Sequence, residues 1–182
     1  MDLSLVDLPR EVVRTERLVL RPYRPEDVDL VHRACQDADI QRWTTVPSPY
    51  SEADAVEFVT QTTVSGRAQG RALTTAVEAG GRFVGSAGLH FSKGMLGPAV
   101  GYWLAPWARG QGYAAEAARA LADWALHRGA HRVHLSADVG NVASRAVARR
   151  AGFVEEGIVR SCLPYRDGTR GDAALFSRLP GD

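Results

Sequence analysis

Tyr102-Trp103-Leu104-Ala105-Pro106-Trp107-Ala108-Arg109-Gly110-Gln111-Gly112-Tyr113-Ala114-Ala115-Glu116 carries an apolar strand through a glycine-punctuated loop into an alanine-rich helix. Backbone N–H groups of such a loop converge on one point, and the first helical turn adds donors that have no intrahelical partner. About half a positive charge gathers at that helix end, so the loop suits an anion, most simply a phosphate. Gly110 and Gly112 carry no Cβ to block a pyrophosphate. Arg109 offers a fork of charged donors beside the backbone ones. The loop reads as the seat of a phosphorylated cofactor.

Two motifs overlap in it. Gly110-x-Gly112-x-x-Ala115 matches a dinucleotide fingerprint, and the strand-like Val133-His134-Leu135-Ser136-Ala137-Asp138 ends in an acid that could hold a ribose. Against this, Ala105 to Arg109 intervene between strand and first glycine, and the chain that follows cannot supply the remaining strands of a dinucleotide domain. The other motif, Arg109-x-x-Gly112-x-Ala114, resembles the coenzyme A loop of the GNAT acetyltransferases.

The downstream order strengthens the second likeness. A helix is expected from about Tyr113 to Arg128, ending at Gly129 as a left-handed cap. Ala114, Ala117, Leu121 and Trp124 form its buried face, with Arg119 and Asp123 spaced to pair outside. A strand Arg132–Ala137 follows, then Asn141-x-x-Ser144 opening a short helix to Arg150, then Ala151-Gly152-Phe153 and Glu156-Gly157. This order resembles the GNAT core, and more narrowly its RimJ/RimL-like branch, which acetylates protein N-termini and other primary amines. Thr15-Glu16-Arg17-Leu18-Val19-Leu20-Arg21 with Asp27, and Gly101-Tyr102-Trp103-Leu104, resemble the same branch. The likeness runs from Val13 to Leu179.

Composition bounds the rest. With 182 residues, 45% of them hydrophobic, the chain can bury one sizeable core, and a single domain over 1–182 is expected. A formal net charge of +1 gives no electrostatic reason to expect nucleic acid. Lys93 is the only lysine, a bias that follows from a GC-rich coding genome and carries no function. Cys35 and Cys162 have no metal or redox spacing and read as unpaired thiols. No apolar run has the length of a signal peptide or membrane span, so no membrane partner and a cytoplasmic location are expected; a bacterial protein is expected alongside the RimJ/RimL-like resemblance.

Strands are expected at Arg17–Arg21, Leu73–Ala79, Arg82–Leu89, Ala99–Leu104, Phe153–Arg160 and Asp172–Leu179. Pro25 opens a helix to about Cys35, and Ser51 with Asp54 caps another to about Val64. Ile40 to Tyr50 reads as loop, Gly80-Gly81 as a hairpin turn, and Pro164–Gly171 as turn-rich. The fold class is α/β: one domain with a mixed, mostly antiparallel twisted sheet flanked by helices.

The resemblance implies the chemistry. Splayed central strands hold the acyl-CoA, with Trp103, Leu104 and Ala105 pairing their backbone with the pantetheine arm. Arg109, Gly110, Gln111, Gly112, Tyr113, Ala114 and Ala115 hold the pyrophosphate. Leu104 N–H becomes the oxyanion donor. Asn141 orients the pantetheine, and Ser144 stands near the sulfur, although both residues are also ordinary helix caps. Many members place a tyrosine seven residues after this asparagine, where Ala148 stands, and the branch commonly carries a glutamate where Ala99 stands. An imidazole can serve as base near neutral pH, so His90 is the candidate in its stead, with Glu78 and Asp167 as weaker choices and a base-free route for an α-amine beside them.

The remaining constellations carry less. His127 ends a helix, and His131 and His134, three apart along a strand, face opposite sides, so no metal is expected. Arg145, Arg149 and Arg150 make a solvated basic face or meet the 3′-phosphate of coenzyme A. Trp43, Tyr50 and Tyr165-Arg166-Asp167 flank the acceptor groove in such a fold. The implied protein is an acetyl-CoA-dependent N-acetyltransferase. It acts on a primary amine (a peptide N-terminus or a small molecule) by direct attack, since neither cysteine lies in the matched motifs. The alternative is a catalytically silent acyl-CoA-binding or sensing protein on the same fold. The family is compatible with a homodimer.

Overall fold

Alternating apolar residues in the first half of the chain become an antiparallel meander in the computed structural model, which describes residues 1, 3, 6–91 and 94–182. Strands β1 (Val13–Arg14), β2 (Leu18–Arg21), β3 (Ala72–Ala79), β4 (Arg82–His90) and β5 (Ala99–Leu104) each pair antiparallel with the next. The second half adds β6 (Val133–Asp138), β7 (Val154–Pro164) and β8 (Arg170–Arg178), giving an eight-stranded sheet of order β1-β2-β3-β4-β5-β6-β8-β7. β5 and β6 run parallel. A parallel neighbour needs a long crossover, and helix α5 (Tyr113–His127) supplies it.

Both faces of the sheet are covered. On one, the alanines of α5 let it sit close against Leu73, Leu89, Val100 and Leu135, joined by Ala148 of helix α6 (Val142–Arg150). On the other, α1 (Val28–Cys35), α2 (Ala38–Trp43) and α3 (Glu52–Glu57) pack Val31, Ile40 and Ala55 against Phe83 and Ala105. α3 continues through a π-helical stretch, Phe58–Thr62, into α4 (Thr63–Ala68). Its N-terminus has the expected capping box: Ser51 N–H donates to Asp54 Oδ2 at 2.7 Å, and the Ser51 side chain accepts from Asp54 N–H.

Three local expectations are corrected. Ile40–Tyr50 is not all loop, because α2 runs to Trp43. Asp37 caps it, accepting from Ile40 N–H at 2.9 Å, but six residues are too few to show a helical period. β7 continues past Arg160 to Pro164. Its register shifts between Val159 and Leu163 and Ser161 has φ 51°, which breaks the alternation a reader would follow. Arg119 and Asp123 do not pair with each other. Arg119 donates to Arg150 O at 2.8 Å and Asp123 pairs with Arg178 at 2.8 Å, partners that tertiary packing brings closer. No helix of the described residues is long and apolar enough to cross a membrane.

Candidate active site

β5 and β6 share a register pair only at Ala99 and His134, where His134 N–H donates to Pro98 O at 2.9 Å. Among the described residues no later pair follows, so the strands part toward their C-terminal ends. Ala105 N–H donates to Val84 O at 3.0 Å, on the β4 side. Backbone groups of successive strand residues point to opposite edges. Trp103 and Ala105 therefore present theirs to β4, and Tyr102 and Leu104 present theirs to the gap. Of the three residues named for the pantetheine arm, Leu104 has its N–H free for it. The Trp103 ring turns to the α1 face, with its centroid 6.0 Å from that of Phe83.

A 3-10 turn, Pro106–Ala108, takes up the residues between strand and glycines. Gly110 (φ 80°) and Gly112 (φ 79°) both adopt left-handed backbone. A Cβ on Gly110 would meet nothing within 4 Å, and one on Gly112 would lie 3.6 Å from Arg17 Nη2. Conformation, rather than clearance within the protein, is what asks for glycine here. Gly112 is the N-cap of α5, and Glu116 N–H, bonded to Gly112 O at 3.1 Å, is the first to enter the helical ladder. The N–H groups of Tyr113, Ala114 and Ala115 stand ahead of it at the positive end of the helix.

Two arginines brace this loop. Arg109 directs its fork away from the glycines, donating to Asp37 Oδ1 at 2.6 Å and lying 3.6 Å from Asp39. Partial burial opposes the charge of Asp37, but the Arg109 bond and Ile40 N–H outweigh it and hold the carboxyl below its usual range. Arg17 donates to Gln111 O at 3.1 Å and to Glu116 Oε2 at 2.7 Å, with its guanidinium 5.1 Å from the Tyr113 ring centre. Thr15 Oγ1 donates to Glu116 Oε1 at 2.5 Å. The early Thr-x-Arg of the sequence is thus a clasp on the first turn of α5.

The other wall is the start of α6. Asn141 Oδ1 accepts from Ser144 N–H at 3.0 Å, a plain N-cap. The Tyr102 hydroxyl lies 2.9 Å from Ser144 Oγ and 3.2 Å from Ser144 O, within reach of either with its one proton. Burial pushes the Tyr102 phenol up to about 12, opposed by the Ser144 hydrogen bond. In the sequence Tyr102 stands within Gly101-Tyr102-Trp103-Leu104, and nothing local to that motif assigns its side chain a task. Its place two residues before Leu104, on the same face of β5, was the available signal. Ala148 is fully buried in the α5 core.

The candidate bases are not brought to this gap. His90 pairs with Ala99 at the far end of β5 from Leu104, about 17 Å along the strand. Glu78 accepts from Arg21 Nε at 2.7 Å, and Asp167 accepts from Thr169 N–H at 2.9 Å within the β7–β8 turn. That turn does reach the α2 segment: Arg166 donates to Gln41 O at 2.9 Å and to Val46 O, and Tyr165 donates to Asp138 at the end of β6. Trp43 comes 3.7 Å from where a Cβ of Gly140 would stand, while Tyr50 is buried. Arg145 and Arg149 both pair with Glu155. His131 precedes β6, His127 Nδ1 lies 2.7 Å from Asp123 O, and His134 Nδ1 lies 3.0 Å from Leu96 O. Among the described residues no group of three or more His, Cys, Asp or Glu is set to hold a metal ion. Cys35 and Cys162 are free thiols.

A family model described as "Acetyltransferase (GNAT) domain" matches residues 17–154. Over 81 residues the chain is 41% identical to Bacillus subtilis (strain 168) YdaF, provisionally named a ribosomal N-acetyltransferase. That match spans 44% of this chain and 44% of the relative's length. In fold, the chain is similar to RimL, a ribosomal L7/L12 α-N-protein acetyltransferase solved in complex with coenzyme A. The TM-score is 0.82 at 24% identity, covering 93% of this chain and 98% of that one. It is likewise similar to Mycobacterium smegmatis RimJ in complex with CoA-disulfide, with a TM-score of 0.80 at 25% identity over 93% and 88% of the two chains.

Proposed function

The chain belongs to the GNAT acetyltransferase family, and from that premise we propose that it moves the acetyl group of acetyl-CoA to a primary amine by direct attack. The observation that carries this reading is the gap between β5 and β6, with Leu104 N–H facing it from one wall and Ser144 standing on the other. Solved relatives of the same fold hold coenzyme A.

Leu104 N–H meets the thioester oxygen as negative charge develops there. The pantetheine arm takes the backbone groups that β6 leaves unpaired, and the pyrophosphate takes the N–H groups from Gln111 to Ala115. Arg109 contributes by fixing the loop to α2 through Asp37 rather than by touching phosphate. Asn141 sets the first turn of α6, and Ser144 offers its hydroxyl to the departing sulfur. A serine hydroxyl is a far weaker acid than a thiol, whose pKa is about 8.5, so Ser144 stabilises the thiolate by a hydrogen bond and the proton comes from water. The amine loses its own proton to solvent. An α-amine, with pKa about 8, is roughly one-tenth neutral at pH 7, whereas a lysine amine near 10.4 is almost wholly charged. With His90 remote, this favours an α-amine acceptor of the kind named for the RimL relative.

Calorimetric titration with acetyl-CoA, with NAD and ATP as controls, tests the donor. Micromolar binding of acetyl-CoA alone is expected, followed by thiol release on adding a peptide with a free N-terminus. Ser144→Ala should slow release roughly tenfold with affinity for acetyl-CoA unchanged. Binding without release from any amine would instead support an acyl-CoA-binding protein, the role that Ala99 and Ala148 keep open. Preference for a dinucleotide would overturn both.

A further inference from the structure

The contact between Tyr102 and Ser144 has no part in the reaction as described, yet it bears on the hydroxyl that faces the sulfur. We infer that Tyr102 is a positioning residue: its hydroxyl donates to Ser144 Oγ and leaves the single Ser144 proton free to point into the gap. The inference rests on the acetyl-transfer reading above.

Each hydroxyl has one proton, so two arrangements are open. If Tyr102 donates to Ser144 O, at 3.2 Å, its oxygen can only accept from Ser144 Oγ, and the serine proton is drawn away from the sulfur. If Tyr102 donates to Oγ, at 2.9 Å, the serine proton is released. Ser144 O already accepts within the α6 ladder and gains little from a second donor. The 2.9 Å contact is also nearer the usual O–H···O length. Both points favour the second arrangement. Tyr102 and Leu104 share one face of β5 about 7 Å apart. A hydroxyl fixed by Tyr102 is therefore held near whatever Leu104 N–H binds, on a strand rather than on a mobile loop.

Magnitudes separate this role from acid catalysis. The phenol is pushed up to about 12 by burial, roughly three units above a free thiol. Passing its proton toward a thiolate runs uphill, so Tyr102 keeps the proton and orients with it.

Tyr102→Phe removes the hydroxyl and keeps the ring. The expected result is a kcat lowered roughly 3- to 10-fold, the size of one lost hydroxyl hydrogen bond. KM for acetyl-CoA should stay put, the thermal midpoint should fall by no more than a few degrees, and the pH–rate profile, set by the amine, should keep its shape. In a Ser144→Ala background the same change should have no further effect, because the group it positions is gone. An unchanged kcat in Tyr102→Phe beside a slow Ser144→Ala would overturn the inference. So would additive effects in the double variant, a fall in thermal midpoint without a fall in kcat, or a change in the shape of the pH–rate profile. Failure of the acetyl-transfer reading looks different: the unmodified protein would then release no thiol with any amine, and Ser144→Ala would have nothing to slow.

Discussion

Gly112 does two things at once: it caps α5 and aims the first N–H groups of that helix. At φ 79° it occupies backbone that costs an L residue about 1 kcal/mol or more. Its surroundings leave ordinary contact distance for a Cβ, the nearest atom being Arg17 Nη2 at 3.6 Å. Gly112→Ala should therefore fold, with a thermal midpoint a few degrees lower. Its affinity for acetyl-CoA, measured by calorimetry, should fall roughly tenfold as the loop relaxes away from the left-handed turn. The glycine pair was legible from the sequence because turn chemistry is local. Arg109 was legible as a charge beside the loop, but not as the partner of Asp37, 72 residues away. Tyr102 was read only as strand, since its partner Ser144 lies 42 residues on.

At the scale of elements, α5 is held at its functional end by residues from before β2. Burial opposes the charge of Glu116, but bonds from Thr15 and Arg17 outweigh it and hold the carboxyl below its ordinary range. A carboxyl lowered in this way adds stability that is complete above about pH 4.3 and is lost as pH falls through the lower folded value. The thermal midpoint should drop across that acid window. Glu116→Gln, neutral throughout, should begin about 1 kcal/mol less stable at pH 7, a figure discounted for the exposure of Arg17. It should then lose less on acidification; parallel melting curves for the two proteins down to pH 3 would remove Glu116 from the acid response. The long elements α5, β3, β4 and β5 were legible because each carries a full period. α2, at six residues, and the shifted outer half of β7 were not, because a short or irregular element leaves no periodic signal.

Across the whole molecule, the N-terminal strands are tied to the sheet by an ion cluster that neither local pattern nor composition displays. Arg21 reaches Asp27 at 2.7 and 2.8 Å and Glu78 at 2.7 Å, with Arg21 and Asp27 nearly inaccessible. The Asp27 hydrogen bonds, reinforced by Glu78, raise the guanidinium pKa against the pull of burial. Asp27→Ala would leave a buried cation half-paired and should cost about 3 kcal/mol. In urea this should appear as a lower midpoint with an unchanged slope, and an unshifted midpoint would show the cluster to be dispensable. The sequence by itself determined the order of the long strands and helices, the glycine loop with its cap on α5, and the family, because turn residues, periodicity and motif spacing act within a few residues of chain. Tertiary structure alone decided that β5 and β6 part after Ala99, that Leu104 rather than Trp103 or Ala105 faces the gap, and that Tyr102 meets Ser144. Those follow from the register in which a crossover helix returns the chain to the sheet, and register depends on packing between segments that the sequence keeps far apart.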